Sequence, residues 1–263
     1  MRIGIIGLGT VGNAMKNGFE EWHDIFIHDP KLGTEISDII ENTEVAYISV
    51  PTPCEIDTGK CDTSLLEGVL EELPAGYSVV IKSTIVPGTT ERLIGQFPGI
   101  RIANCPEFMR EVSSEEDFLN QEILVVGSED KEFAREIFEH HRIAGVAEEG
   151  GFFRVTPTQA ELVKYAKNSF FAMKVIFANQ FHDYCAALGE DWKGVREVIT
   201  HPQRQIIGPT HLEAIIGSRR GFGGKCIPKD LKALYAELSE MGIAYEIFGS
   251  IMEDNSRLRE NEI

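Results

Sequence analysis

Arg2 to Ile6, an apolar-rich stretch of strand character, runs directly into Gly7-Leu8-Gly9-Thr10-Val11-Gly12, and from about Val11 to Glu21 the spacing turns helical. A strand that turns through three glycines into a helix admits few folds. A second strand, 24–28, ends at Asp29, which follows Gly12 by 17 residues. This arrangement sets a pyrophosphate on a helix N-terminus and a carboxylate on an adenosine ribose. Gly7, Gly9, Thr10, Val11, Gly12 and Asp29 are therefore the expected dinucleotide contacts. Asp29 favours NAD over NADP because a 2′-phosphate would be repelled there, although Lys31 stands close by and is carried as a cofactor contact. Glycines that only make a tight turn, or an FAD site with the same fingerprint, are the alternatives.

Buried-type strands are expected over 45–50, 78–82, 100–103 and 122–127, with helices over 63–73, 89–96 and 130–140. Strands alternating with helices predict an α/β domain with a doubly wound, mostly parallel sheet of the Rossmann type, spanning 1–154. The pattern changes after about residue 155. Thr158 to Leu188 contains neither proline nor glycine, and Leu162, Tyr165, Ala166, Phe170, Met173, Phe177, Phe181 and Tyr184 recur at helical spacing. Thr158 and Glu161 have the spacing of a capping box, which starts this helix, and Gly189 stops it. At ~1.5 Å per residue the helix is about 45 Å long, more than a compact small domain needs, so part of it is expected against a second subunit. Helices over 191–199, 229–241 and 244–260 complete an all-helical domain, 155–263.

Composition narrows the partners. With 25 Lys and Arg against 42 Asp and Glu the formal charge is −17, and no basic cluster offsets it. Nucleic acid and anionic membrane surfaces are not expected partners. The five cysteines are odd in number and none forms a C-x-x-C, so neither a disulfide framework nor a metal site is expected. The N-terminus runs straight into a strand without signal-peptide architecture, and no apolar run approaches the roughly 20 residues of a membrane span. A cytoplasmic, reducing setting is the expectation, and there thiols persist.

One of those thiols is placed for chemistry. In Gly221-Phe222-Gly223-Gly224-Lys225-Cys226-Ile227-Pro228-Lys229-Asp230, Pro228 suits the first turn of a helix, so Cys226 falls at the helix N-terminus. Helix dipole, unpaired N–H groups, Lys225 and Lys229 favour the thiolate there. A buried, inert cysteine is the bland alternative. Two further loops, Val50-Pro51-Thr52-Pro53 and Ser83-Thr84 through Pro87-Gly88-Thr89, follow strands, on the rim where such sheets hold ligands. Their hydroxyls and N–H groups could meet ribose, nicotinamide or substrate. Asn104 to Glu111 supplies two carboxylates after another strand, and Lys164 and Asn168 stand one helical turn apart. Asp230 likewise lies four residues beyond Cys226. Taken singly, these are ordinary lysines and surface charges.

Jointly, and in this order along nearly the whole chain, these motifs resemble the UDP-glucose/GDP-mannose dehydrogenase family. The cysteine loop is the most specific of them, because related hydroxyacid dehydrogenases share the helix Lys and Asn without it. The resemblance implies a four-electron oxidation of a sugar primary alcohol to a carboxylate with two NAD consumed, UDP-glucose to UDP-glucuronate first among the choices. It implies that Cys226 holds the aldehyde as a thiohemiacetal and then a thioester, and that Lys164 and Asn168 stabilise oxyanions. It further implies that Glu107 acts as acid or base in thioester hydrolysis, and that Asp230 places or activates water, with Thr84 beside it. Pro51, Thr52, Ser83 and Glu111 are carried as cofactor contacts, with Glu111 on the nicotinamide side. Phe108, Met109, Arg110, Arg204, Phe222 and Gly223 are carried as substrate contacts, and a homodimer is expected. Family members of usual size continue into a third, nucleotide-holding domain that the 263 residues are expected to lack. Where the family tends to have arginine before Ile-Gly, Ile206 stands, with Arg204 two residues earlier and Arg219 and Arg220 as substitutes. A two-electron hydroxyacid dehydrogenase and a non-catalytic NAD-binding protein are the competing readings.

Overall fold

The structure, a computed structural model, describes residues 1–55, 57–202, 208, 210–217, 219–242 and 246–260, with Glu111 described by its backbone alone. Contacts divide the chain into two units. One comprises 1–55 with 61–164, the other 56–60 with 165–263.

The first unit is built on strands β1 (Arg2–Ile6), β2 (Asp24–His28), β3 (Val45–Ile48), β4 (Ser78–Ile81), β5 (Arg101–Asn104), β6 (Leu124–Gly127) and β7 (Phe152–Val155). They form one sheet in the order β2-β1-β3-β4-β5-β6-β7. Pairing is parallel except where β6 meets β5 through one antiparallel pair, Asn104 and Gly127. Helices cover both faces, which is why the inner strands are continuous apolar runs. On one face Ile3, Ile5, Tyr47, Val80 and Ala103 join a core with α1 (Thr10–Phe19), α5 (Ser114–Leu119) and α6 (Lys131–Ile143), through Met15, Phe19, Phe118, Phe133 and Phe138. On the other, Ile6, Ile48, Val79 and Ile81 join a core with α2 (Ile36–Asn42), α3 (Ser64–Glu72) and α4 (Thr89–Gln96), through Ile39, Leu66, Leu70 and Leu93. Three buried histidines, His23, His140 and His141, stand edge-on around Phe19 and Tyr47. The Tyr47 hydroxyl meets His140 Nδ1 at 2.8 Å. Burial disfavours the imidazolium, so all three titrate below the usual histidine value, His140 at about 4.

Helices α2 and α5 and strand β7 are elements the sequence patterns do not announce. The two helices span only 7 and 6 residues, and β7 buries neither face fully, so none carries a strong periodicity. The start of the long helix, α7 (Pro157–Ala187), also differs from expectation. Its reciprocal cap is Thr156 with Gln159: the Gln159 N–H donates to Thr156 Oγ1 at 3.2 Å and the Thr156 N–H to Gln159 Oε1 at 3.1 Å. Pro157 then occupies the first helical position, where its missing N–H costs nothing. Glu161, expected in that cap, turns instead to the start of α4. It accepts from the Gly88 N–H (2.6 Å), the Thr90 N–H (2.7 Å) and the Thr90 hydroxyl (2.6 Å). Its burial outweighs these donors and raises its titration above the ordinary glutamate value.

The second unit contains α7 from Tyr165 onward, α8 (Trp192–Ile199), a short hairpin of β8 (Ile215–Ile216) and β9 (Arg219–Arg220), α9 (Ile227–Glu240) and α10 (Glu246–Glu260). Ala172, Val175, Phe222, Leu231 and Ile251 form one core cluster, and Ala178, Cys185, Trp192, Leu212 and Ala214 another. Residues 56–60 belong here as well: a Cβ on Gly59 would stand 3.2 Å from Lys232 and 3.3 Å from Ala236 of α9, and Lys60 pairs with Glu240 at 2.8 Å.

Candidate active site

In the sheet unit the chain leaves β1 for β2 on one side and returns to β3 on the other, so Gly7 and Ser49 sit at the point where the strand order reverses. Crevices at such points bind ligands in doubly wound sheets. The backbones approach too closely for any side chain at Gly7, which has φ +91° and whose Cβ would lie 2.8 Å from the Ser49 carbonyl. A Cβ on Gly12 would lie 2.0 Å from the Gly7 carbonyl, which the Ser49 hydroxyl already engages at 2.7 Å. Around Gly9 nothing among the described residues lies within 4 Å of an added Cβ, so open space faces the first turn of α1, where Thr10 and Val11 begin the helix. Those residues form a cradle that fits a pyrophosphate. Asp29 accepts from the Leu8 N–H at 2.7 Å and the Lys31 N–H at 2.9 Å, which hold its carboxyl below the usual value, with the Leu8 bond the larger cause. The carboxylate is thereby fixed beside the glycine turn. Lys31 acts through its backbone, and its side chain is exposed.

The two rim loops are laced to each other. Thr52 Oγ1 donates to the Thr84 carbonyl at 2.6 Å, and Ser83 Oγ donates to the Val50 carbonyl at 2.7 Å. The hydroxyl protons expected to meet a cofactor are thus committed to loop structure, and Thr52 and Ser83 are buried while Pro51 is exposed. Thr84 is half-buried.

After β5 the chain presents Glu107. Its Oε1 accepts from Lys164 Nζ at 2.8 Å and its Oε2 from the Met109 N–H at 2.6 Å, so both oxygens are held. This ion pair is nearly dry, with side-chain exposures of 5% for Lys164 and 10% for Glu107. Phe108 and Met109 are half-buried, and Met109 packs on the sheet core. Arg110, expected to meet substrate, is otherwise engaged: Asp117 takes its Nε at 2.9 Å, its Nη2 at 2.5 Å and its N–H at 2.7 Å. That fork pulls Asp117 down to about 2. Glu111 opens a single helical turn, and its side chain lies outside those described, as does Arg204 altogether.

In the helical unit, Cys226 is the N-cap of α9 and is exposed, and Pro228 sits in the first turn, as the sequence predicts. The loop that presents it is clamped by a residue no motif singled out. Asn255 of α10 accepts from the Phe222 N–H at 2.7 Å and donates to the Phe222 carbonyl at 3.1 Å. Gly221 has φ +70°, and a Cβ there would come within 2.5 Å of Asn255 Oδ1, so the turn needs glycine. Phe222 is a core residue of this unit, packed with Ala172, Val175, Leu231 and Ile251, whereas Gly223 is exposed. One turn into α9, Asp230 is 1% exposed and accepts from Asn168 Nδ2 at 2.5 Å. Its other oxygen lies 2.7 Å from Lys229 Nζ, off the hydrogen-bonding direction. The charge expected to help the thiol is therefore answered by its own neighbour. Arg220 is also engaged, with Asp183 (2.8 Å) and Asn179 (3.1 Å).

Residues 28–143 match the model of the UDP-glucose/GDP-mannose dehydrogenase family, NAD binding domain, and residues 158–257 that of its central domain. The chain belongs to this family. It is 32% identical over 85% of its length to UDP-glucose 6-dehydrogenase of Rickettsia felis, of which it covers 50%. It is 30% identical over 97% of its length to UDP-glucose 6-dehydrogenase AglM of Haloferax volcanii, of which it covers 69%. A solved UDP-glucose dehydrogenase from Pyrobaculum islandicum superposes with a TM-score of 0.81 at 28% identity, over 97% of this chain and 68% of that one. The chain spans about half the length of several curated relatives it matches. Its sheet unit is the family's NAD-binding domain, and the match to that domain begins after the glycine loop, whose cradle the fold supplies independently.

Proposed function

We propose that this member of the UDP-glucose/GDP-mannose dehydrogenase family oxidises the primary alcohol of a nucleotide sugar to a carboxylate, with UDP-glucose as the leading substrate and Cys226 as the nucleophile. The observation that carries the reading is an exposed thiol at the N-cap of α9, presented by a clamped glycine loop, with the buried Asn168–Asp230 pair one turn onward. Gly7, Gly9, Gly12 and Asp29 would hold NAD, which would supply the hydride acceptor for each of the two oxidation steps. The remaining work belongs to the chain's own side chains.

Cys226 adds through sulfur to the aldehyde carbon and holds the carbon until it reaches the acyl level as a thioester. Lys164 and Asn168 donate to the oxygen that bears developing negative charge. A fixed donor of this kind is worth roughly 3–4 kcal/mol of barrier. Glu107, already paired with the Lys164 ammonium, takes a proton from the water that attacks the thioester, and the Cys226 thiolate leaves. Asp230 orients Asn168 and so acts as a positioning residue. Asp29 disfavours a 2′-phosphate on the cofactor. A second copy of the chain is the proposed cover for Phe170, Phe177, Phe181 and Tyr184, which α7 leaves exposed.

The test is a panel of UDP- and GDP-sugars assayed for NADH released per sugar consumed. Two NADH per sugar, with turnover lost in Cys226→Ser by at least about a thousandfold, is the expected result. One NADH per substrate with full turnover in Cys226→Ser would replace this reading by a two-electron dehydrogenase.

A further inference from the structure

A second pair of thiols lies outside this chemistry. Cys54 and Cys61 oppose each other in an isolated antiparallel bridge just after the Pro51–Pro53 rim loop. The Asp62 N–H donates to the Pro53 carbonyl at 2.8 Å. That bond joins the flanking residues rather than the cysteines themselves, so the cysteines occupy a non-hydrogen-bonded site of the ladder. At such a site Cα atoms stand about 4.5 Å apart and side chains share one face. A disulfide accepts Cα separations of roughly 4.4–6.8 Å, so the backbone already has the spacing a bridge requires. Both cysteines are half-exposed, whereas Cys105 and Cys185 are buried.

We infer that Cys54 and Cys61 form a thiol–disulfide couple that exchanges with low-molecular-weight disulfides, separately from Cys226. The thiolate of one cysteine attacks a sulfur of the small disulfide and expels one small thiolate, leaving a mixed disulfide. The thiolate of the other attacks the protein-side sulfur of that bond and expels the second small thiolate. Two protein thiols are oxidised by two electrons, the small disulfide is reduced to two thiols, and the two thiol protons end on the departing thiolates. The second step is favoured by the preset geometry. The link closes a ring from 54 to 61 directly below Thr52, whose carbonyl lies 4.0 Å from the Cys61 sulfur and whose hydroxyl holds Thr84.

Trypsin makes this readable, because Lys60 separates the two cysteines and no Lys or Arg lies within 32–59 or 61–81. The native full chain is treated with oxidised glutathione, alkylated, and digested without reduction. The expected product is peptide 32–60 joined to peptide 61–82, separating on reduction, with single glutathione adducts at Cys54 or Cys61 as minor species. In Cys54→Ser the adduct on Cys61 accumulates because nothing resolves it. In denaturant the ratio of link to adduct falls at least about tenfold, since the ladder no longer sets the spacing. Persistent adducts on Cys54 and Cys61 in the native protein, links to other cysteines, or an unchanged ratio in denaturant would overturn the inference. Adduct formation at Cys226 is resolved on a separate peptide and does not enter the result.

Discussion

Each unit holds one carboxylate against a residue of α7, yet the two are held by different chemistry. In the sheet unit Glu107 faces a full ammonium, Lys164, with the Met109 N–H on its second oxygen. In the helical unit Asp230 faces a neutral amide, Asn168, and its charge is answered by Lys229. Two charges taken out of water gain little net stability over an apolar pair, and the loss of either partner strands the other. Removal of the Asn168 amide leaves the Asp230 charge still answered by Lys229. The sheet-unit pair is therefore the more fragile of the two to single substitutions.

Four experiments can break or sharpen this contrast. Glu107→Ala strands the Lys164 ammonium and is expected to cost about 3–5 kcal/mol in urea unfolding, whereas Glu107→Leu with Lys164→Met recovers most of it. A double variant as unstable as the single one would mean that the pair is structural. Acid is expected to weaken the sheet unit first, because its three buried histidines are held neutral. His140 has a folded value of about 4 against the ordinary 6.5, so the stability it contributes is complete above 6.5 and is lost as pH falls toward 4, by about 3 kcal/mol in all. Hydrogen exchange at pH 7 and 4.5 should show amides of β1, β3 and α6 losing protection more than those of α9. Asn168→Ala is expected to cost about 1–3 kcal/mol, from an Asp230 oxygen left without its donor, and unfolding curves would place it clearly below the Glu107→Ala loss. The smallest effect concerns Glu161. Its folded value is raised, so its contribution is fullest below the ordinary 4.5 and declines as pH rises through the raised value. The stability of the wild type relative to Glu161→Gln should fall across that window, and a flat difference would show that its three donors offset burial completely.

The sheet, its glycine turn and the long helix were legible in the sequence because each rests on local rules: apolar runs for strands buried on two sides, 3.6-residue spacing, and a proline in the first turn of α9. The glycine cradle and the N-cap position of Cys226 were readable for the same reason. What escaped were long-range polar bonds. Thr158 and Glu161 have the spacing of a cap, yet Glu161 serves α4 because three donors converge on it there. Arg110 reads as an available cation until Asp117 takes its fork, and the loop reading of Phe222 gives no sign that its ring joins the helical core. Asn255 has no motif around it, and a polar residue midway along a helix gives no sign of clamping a loop more than thirty positions earlier.

By itself, then, the sequence determined the class of sheet, the place of the dinucleotide cradle and the thiol at a helix start, because periodicity, glycine and proline act over a few residues. Only the tertiary structure decided which charges remain available and which are already answered: Lys164 by Glu107, Asn168 by Asp230, Arg110 by Asp117, and Cys54 set opposite Cys61. Those pairings depend on which distant segments the fold brings within about 3 Å for a hydrogen bond, or to strand-pair spacing for the cysteines, and hydrogen bonds and ion pairs act only at such range.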